Sequence, residues 1–153
     1  MGNFKRDLAI SQQAVKLLMD HYVNSGYKVG PLEGKENQKK GDFWISTDGA
    51  RTNIEVKFDM YAQRSGNLCF EMSNGKKETG IMTTLADEVC YVVPYEAGFN
   101  VFVFCPDELR TYIQDPSKVS IKSGGDKRKF ILALAKITDI VEDKLPKQTF
   151  KLP

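Results

Sequence analysis

The chain has 153 residues, 41% of them hydrophobic and 27% charged, which suits one globular domain with a core of its own. A net charge of +2 does not by itself announce nucleic acid, so such a partner must be met by local clusters of cations. Three widely spaced cysteines without a Cys-x-x-Cys pair argue against a structural zinc site, and His21, the single histidine, leaves carboxylates and lysine to carry any catalysis.

No apolar run is long enough to span a bilayer, and the first ten residues lack the apolar stretch of a signal peptide. Arg6 stands where a myristoylation signal requires Ser or Thr. A cytoplasmic protein with no membrane partner, folded as one domain over residues 1–153, is expected.

In chain order, residues 7–25 read as an amphipathic helix. Ile10, Ala14, Leu17 and Leu18 share a face at helical spacing, and Gly26 ends it. Asp7 sits in the first turn, where an acid caps the helix and complements its dipole. Residues 27–30 read as a short strand. Residues 31–41 are polar and glycine-bounded, hence a loop. Lys39 and Lys40 concentrate positive charge there, either as a solvated loop or as a contact for phosphate.

Residues 42–57 form the centre of the pattern. Phe43, Trp44 and Ile45 make a β-prone run, and Asp48-Gly49 is a strong hairpin signal. The next strand alternates. Ile54, Val56 and Phe58 fall on one face, and Glu55 and Lys57 stand side by side on the other. Asp42 opens the first strand and reaches the same edge if the hairpin pairs in register. Two carboxylates and a lysine at one point suit a divalent cation and a water held against a phosphodiester.

Residues 59–66 are a polar break. Residues 68–72 read as a third strand with Cys69 and Glu71 on one face. Glu71 is either an edge residue in water or, if that strand lies beside the hairpin, a further acid at the site. A loop with Lys76 and Lys77 follows, then a short helical turn over 83–87. Residues 88–94 and 100–105 are continuously apolar, which places them as an antiparallel pair near a sheet centre. A short helix covers 106–113. Residues 120–129, with Lys122, Lys127, Arg128 and Lys129 around adjacent glycines, read as a flexible basic loop suited to a phosphate backbone. Residues 130–135 are a strand or helix start, 138–144 a short helix, and 147–153 a frayed basic tail.

Acid-x-Lys occurs three times, at 33–35, 55–57 and 142–144. Only Glu55-Val56-Lys57 lies on an alternating strand, after a turn, with an aspartate opening the preceding strand. In this respect the chain resembles the PD-(D/E)xK nuclease superfamily, through Asp42, Glu55 and Lys57. Gly66-Asn67-Leu68, Phe70-Glu71, Gly80-Ile81, Thr84, Ala86-Asp87 and Ser123-Gly124-Gly125-Asp126 extend the likeness to small phage-type members. The likeness covers most of the chain from Asp7 onward.

The resemblance implies an α/β fold, a mixed central sheet flanked by helices with a restriction-endonuclease-like αβββαβ core. It implies a metal-dependent DNA endonuclease of junction-resolving, homing or restriction-like type, encoded by a phage or mobile element. Asp42, Glu55 and the Val56 carbonyl would ligate Mg²⁺, with Mn²⁺ able to substitute. Lys57 would orient or help deprotonate the attacking water. Cutting both strands with one site per chain implies a homodimer or larger assembly on DNA. One departure stands out: many relatives carry a glutamate in the first helix where this chain has Val15, and the nearby Gln12 and Gln13 are amides. Either Asp7 substitutes, or Glu71 contributes, or the site holds metal with fewer carboxylates. The alternatives are a non-catalytic DNA-binding or recombination-accessory module on the same scaffold, or a purely structural phage or mobile-element protein.

Overall fold

The amphipathic stretch at the start of the chain forms α1 (Gly2–Asn24), and Gly26, at φ +96°, takes the chain out of it. The computed structural model describes residues 2–37, 39–124 and 129–153, with the side chains of residues 2–5, 7 and 36 outside that description. The strand β1 (Lys28–Pro31) follows, then the hairpin β2 (Phe43–Thr47) and β3 (Ala50–Phe58). At the hairpin turn Asp48 and Gly49 both have positive φ, 56° and 86°. That backbone matches the right-handed twist of the flanking strands.

A short helix α2 (Ala62–Ser65) and the strand β4 (Asn67–Ser73) lead to a 3-10 turn at Gly80–Met82. The apolar pair β5 (Glu88–Tyr95) and β6 (Gly98–Phe104) comes next, then α3 (Pro106–Ile113), β7 (Ser120–Gly124), β8 (Phe130–Lys136), α4 (Ile137–Glu142) and β9 (Gln148–Leu152). Six strands form a mixed sheet in the order β1-β2-β3-β5-β6-β9, and β4-β8-β7 form a second, smaller sheet. Within the large sheet β3 and β5 run parallel and the other pairs antiparallel.

The expected α/β architecture is present, a mixed central sheet with helices against it. The element order α1-β1-β2-β3-α2-β5 contains the αβββαβ succession. The crossover between parallel β3 and β5 differs in kind. A parallel connection must carry the chain back across the sheet. Here α2 is only one turn long, and the inserted β4 joins the second sheet. Glu71 therefore lies on a strand paired with β8, not beside the hairpin.

Alternation sets the two cores. Ala14, Leu18 and Tyr22 of α1 pack on Phe43, Ile45, Ile54, Cys90, Val92 and Val101. The opposite face of the large sheet, with Val89, Tyr91, Phe102 and Phe104, packs on Leu68, Phe70, Ala133, Leu109 and Ile140. A face residue on β3 thus meets either α1 or the second sheet, and a one-residue register slip would exchange them.

Three expectations are corrected. Residues 83–87 are not a helical turn; the turn lies one step earlier, at Gly80–Met82. Tertiary partners consume the backbone there. Arg110 Nε donates to the Ile81 carbonyl at 2.9 Å and its Nη2 donates to the Thr84 carbonyl. Leu85 N–H donates to the Lys39 carbonyl, and Asp87 N–H to the Asn53 carbonyl. Residues 120–124 are the edge strand β7, not loop; its side chains are mostly exposed, so only backbone pairing with β8 holds it. Residues 148–152 are not a frayed tail but the edge strand β9, pairing with β6 from Phe99↔Leu152 to Val103↔Gln148.

Leu152 is buried in the core against α1. Leu152→Ala is expected to cost about 2–5 kcal/mol in urea unfolding, whereas a change under about 0.5 kcal/mol, the scale of a surface position, would mean that β9 contributes nothing to the fold.

Candidate active site

β2 stops at Phe43, paired with Ile54, and the chain just before it supplies the aspartate. Gly41 is buried at φ +129°, and a Cβ there would sit 2.5 Å from the Ile54 carbonyl oxygen. Only glycine allows this approach without displacing β3. Asp42 N–H then donates to the Ile54 carbonyl at 2.7 Å. Val56 N–H in turn donates to Asp42 Oδ2 at 2.7 Å. Asp42 thus continues the edge of β3 with its side chain where a further β2 residue would stand.

Glu55 and Lys57 lie on the β3 face turned to the second sheet. Lys57 Nζ is 3.8 Å from Glu55 Oε1; the lysine side chain is 40% exposed and the glutamate side chain 15%. As an ion pair alone this adds little to stability. It also leaves Glu55 Oε2 buried with no hydrogen-bond partner among the described residues. Burial pushes the Glu55 carboxyl above the ordinary glutamate value. The Lys57 ammonium and the Thr84 hydroxyl beside it pull the other way, and the Asp42 carboxylate adds to the rise. The three side chains brought together in sequence, Asp42, Glu55 and Lys57, are therefore within one another's electrostatic reach.

Two open clefts meet at Lys57. The first, about 500 Å³, runs between β3 and α1; Ser11, Gln12 and Val15 line it with Asp42, Val56 and Lys57. Val15, on the α1 wall, thus presents a methyl-bearing side chain to the cleft that Asp42 also lines, and no acid. Asp7 lies in α1 with its side chain outside the described set. The second cleft, about 390 Å³, opens toward the small sheet and includes Lys57, Tyr61 and Glu71. Glu71 therefore does share a cleft with Lys57, although it arrives from the other sheet.

The donor set suits a hard cation that keeps most of its water. Among the described residues no three His, Cys, Asp or Glu side chains converge as a metal cluster. Mg²⁺ is commonly held by one or two carboxylates plus water, and an orphaned buried carboxylate oxygen beside a second carboxylate is a place where such an ion relieves an existing penalty.

Sequence reasoning passed over three residues. Thr84, buried beside Glu55, was noted only as part of the likeness. Arg110 fixes the segment that carries it, through the Ile81 and Thr84 carbonyls. Asp59 was read as part of a polar break; its Oδ1 accepts from Tyr61 N–H and Ala62 N–H, and its Oδ2 from Cys69 N–H at 2.9 Å. An aspartate in a polar break commonly accepts from backbone N–H groups two and three residues on, as an Asx turn, so Asp59 was readable in principle.

The cations form two groups. Lys39 and Lys40 are exposed on the turn that precedes Gly41. Lys76 and Lys77 are exposed on the turn after β4, where Asn74 Oδ1 accepts both backbone N–H groups. Gly75 of that turn lies against the Lys129 carbonyl, so Lys76, Lys77 and the exposed Lys129 share one end of the small sheet. Lys122 is exposed on β7. Lys127 and Arg128 lie outside the described residues, as does Asp126. His21 takes no part; it stacks on Phe150 with ring centroids 4.1 Å apart. Among the described residues no helix is long and apolar enough to cross a membrane.

No protein-family model and no curated protein matches this sequence. Among solved structures the chain is similar to a bacterial homing endonuclease, at 17% identity over 68% of this chain and 70% of that one, with a TM-score of 0.49. At that level the likeness concerns the course of the backbone alone.

Proposed function

We propose that the protein is a metal-dependent DNA endonuclease whose site is Asp42, Glu55 and Lys57. The observation that carries this reading is Glu55 Oε2: a buried carboxylate oxygen with no hydrogen bond among the described residues, beside Lys57, which lines both clefts, and within the electrostatic reach of the Asp42 carboxylate. A purely structural carboxylate would have its oxygens satisfied.

Mg²⁺, or Mn²⁺ in its place, would be held by Asp42, Glu55 and the Val56 carbonyl, and would supply a polarised water and a positive charge against the phosphate. The Val56 carbonyl is a reasonable third oxygen. A strand residue's N–H and C=O face the same neighbour, and Val56 N–H faces Asp42. Lys57 orients the attacking water and opposes the negative charge that develops on the phosphate oxygens. Its position between both clefts lets it serve a strand lying across the mouth of either. The nearby Thr84 hydroxyl favours the charged form of Glu55. Lys39, Lys40, Lys76, Lys77, Lys122 and Lys129 contact flanking phosphates, and such contacts give binding that falls steeply with salt. Each chain offers one site, so cutting both strands requires two copies, most simply a two-fold homodimer on DNA.

One observation favours a second reading. Val15 faces the Asp42 cleft where an acid would strengthen metal binding. A non-catalytic DNA-binding or recombination-accessory module would bind DNA at low salt and leave it intact in Mg²⁺ and Mn²⁺.

Incubation with supercoiled, linear and four-way-junction DNA, in Mg²⁺ or EDTA, separates the two readings. Wild type is expected to cut in Mg²⁺ only. Lys57→Ala, Glu55→Gln and Asp42→Asn are each expected to lose about 10²-fold or more in rate, the scale of removing one charge-stabilising group, while still binding DNA. Mg²⁺ is also expected to raise the Tm of wild type by a few degrees and to leave Glu55→Gln unmoved; cutting that persists in EDTA would overturn the metal-dependent mechanism.

In EDTA, stability has a defined pH dependence. Glu55 holds its proton more tightly folded than unfolded, so the folded state loses stability as pH rises through the folded value. Glu55→Gln lacks this loss. In urea unfolding it is expected to be more stable than wild type at about pH 7.5, with the advantage fading as pH falls toward the ordinary glutamate range near 4.5. A difference that does not change with pH would contradict the burial of this carboxylate.

A further inference from the structure

The second cleft is larger than the chemistry of phosphate cleavage requires. Its volume, about 390 Å³, lies within the range of sites for small organic molecules. Met60, Ile81 and Leu132 give it apolar walls, Lys57 and Glu71 supply charge, and Tyr61 stands on its lining. Tyr61 is 70% exposed, more than any other exposed large hydrophobic residue described. A tyrosine placed in water gains nothing from burial, yet its backbone is firmly held. Asp59 Oδ1 accepts the Tyr61 N–H and the Ala62 N–H, and the Tyr61 carbonyl accepts from Arg64 and Ser65. The ring is thus carried on a fixed corner, four residues along the chain from Lys57.

The other polar groups of the cleft are already committed. Tyr91 Oη donates to the Cys69 carbonyl, and Asp59 spends both carboxylate oxygens on backbone N–H groups. Glu71 and Lys57 are the charged groups left to meet a guest. The guest that fits is flat and aromatic with hydrogen-bond donors on one edge, and it is joined to a phosphate that Lys57 faces.

We infer that this cleft receives one unpaired nucleobase beside the phosphate at the site, stacked on the Tyr61 ring, with Glu71 accepting from its exocyclic amino group. This rests on the nuclease reading and narrows its substrate to DNA with an unpaired nucleotide near the cut, a base that carries an exocyclic amino group (adenine, cytosine or guanine) in preference to thymine. Aromatic stacking takes any base, since every base has a π-face. A carboxylate selects those whose edge carries an amino donor.

The test is fluorescence anisotropy at low salt with Ca²⁺ in place of Mg²⁺, using a forked duplex with single-stranded adenine or thymine arms and a fully paired duplex of equal length. Wild type is expected to bind the adenine fork most tightly. Tyr61→Ala is expected to lose about tenfold on the fork and under about twofold on the paired duplex; Tyr61→Phe keeps the wild-type preference. Glu71→Ala, which removes the acceptor, is expected to erase the preference for adenine arms over thymine arms. Equal weakening on both DNAs, or no weakening, overturns the stacking role, and an unchanged arm preference in Glu71→Ala overturns the edge contact. Those results leave wild-type binding and cutting intact, so they count against this inference alone. Wild type that binds neither DNA overturns the nuclease reading and this inference with it. Far-UV circular dichroism of Tyr61→Ala, expected to match wild type because the ring is exposed, separates lost contact from lost fold.

Discussion

Burying a carboxylate oxygen without a hydrogen bond is among the more expensive things a small protein can do, and Glu55 carries such an oxygen. Oε1 lies 3.8 Å from the Lys57 ammonium, the Thr84 hydroxyl stands near the carboxyl, and Oε2 makes no hydrogen bond among the described residues. A leucine or glutamine at that position would fit the neighbouring apolar wall at lower cost. The strand gives the side chain little choice of direction, since Ile54 and Val56 on either side must face α1 for the hairpin to pack. The packing that makes β3 a strand therefore holds an acid with an unpaired oxygen beside Lys57, the lysine that both clefts share. Local stability is given up there.

What could be read from the sequence was what local chemistry decides. The hairpin needed only Asp48-Gly49 and the alternation after it. The antiparallel pair β5 and β6 needed only two apolar runs with a short turn between. α3 announced itself through Pro106 and the acids behind it. The placement of Asp42, Glu55 and Lys57 near one another was legible for the same reason, because two lie two apart on one strand and the third opens the strand paired with it. The α1 position was legible too: Val15, marked from the likeness alone, does line the cleft that holds Asp42.

The parts that stayed hidden are those fixed from a distance. Ser120–Gly124 has no apolar face, and only the presence of β8 makes it a strand. Residues 83–87 begin with a capping threonine and contain Leu85 and Ala86, but Arg110, Lys39 and Asn53 engage the backbone groups there before a helix can. β9 is a different case. Phe150 and Leu152 alternate with polar residues and point inward, so a strand pattern was present; the basic composition and terminal position concealed it. Glu71 shows the limit most clearly. Its face on β4 was readable, but the sheet to which β4 belongs was not, and it reaches Lys57 from across the molecule.

The placement of Asp42 shows how few residues such a site needs. Gly41 removes a side chain so that the chain can lie on β3, and the next residue supplies both a backbone donor for Ile54 and a carboxylate for Val56 N–H. The same carboxylate ends the β2–β3 pairing and occupies the edge it vacates. A strand continued by backbone would have covered the Val56 edge with an amide, which is neither charged nor free to face solvent. Continued by a side chain, the edge becomes acidic, and the acid is fixed in direction by one hydrogen bond at 2.7 Å. The glycine and the aspartate are therefore one device: replacing either alters the geometry of the other, and Glu55 and Lys57 inherit their surroundings from both.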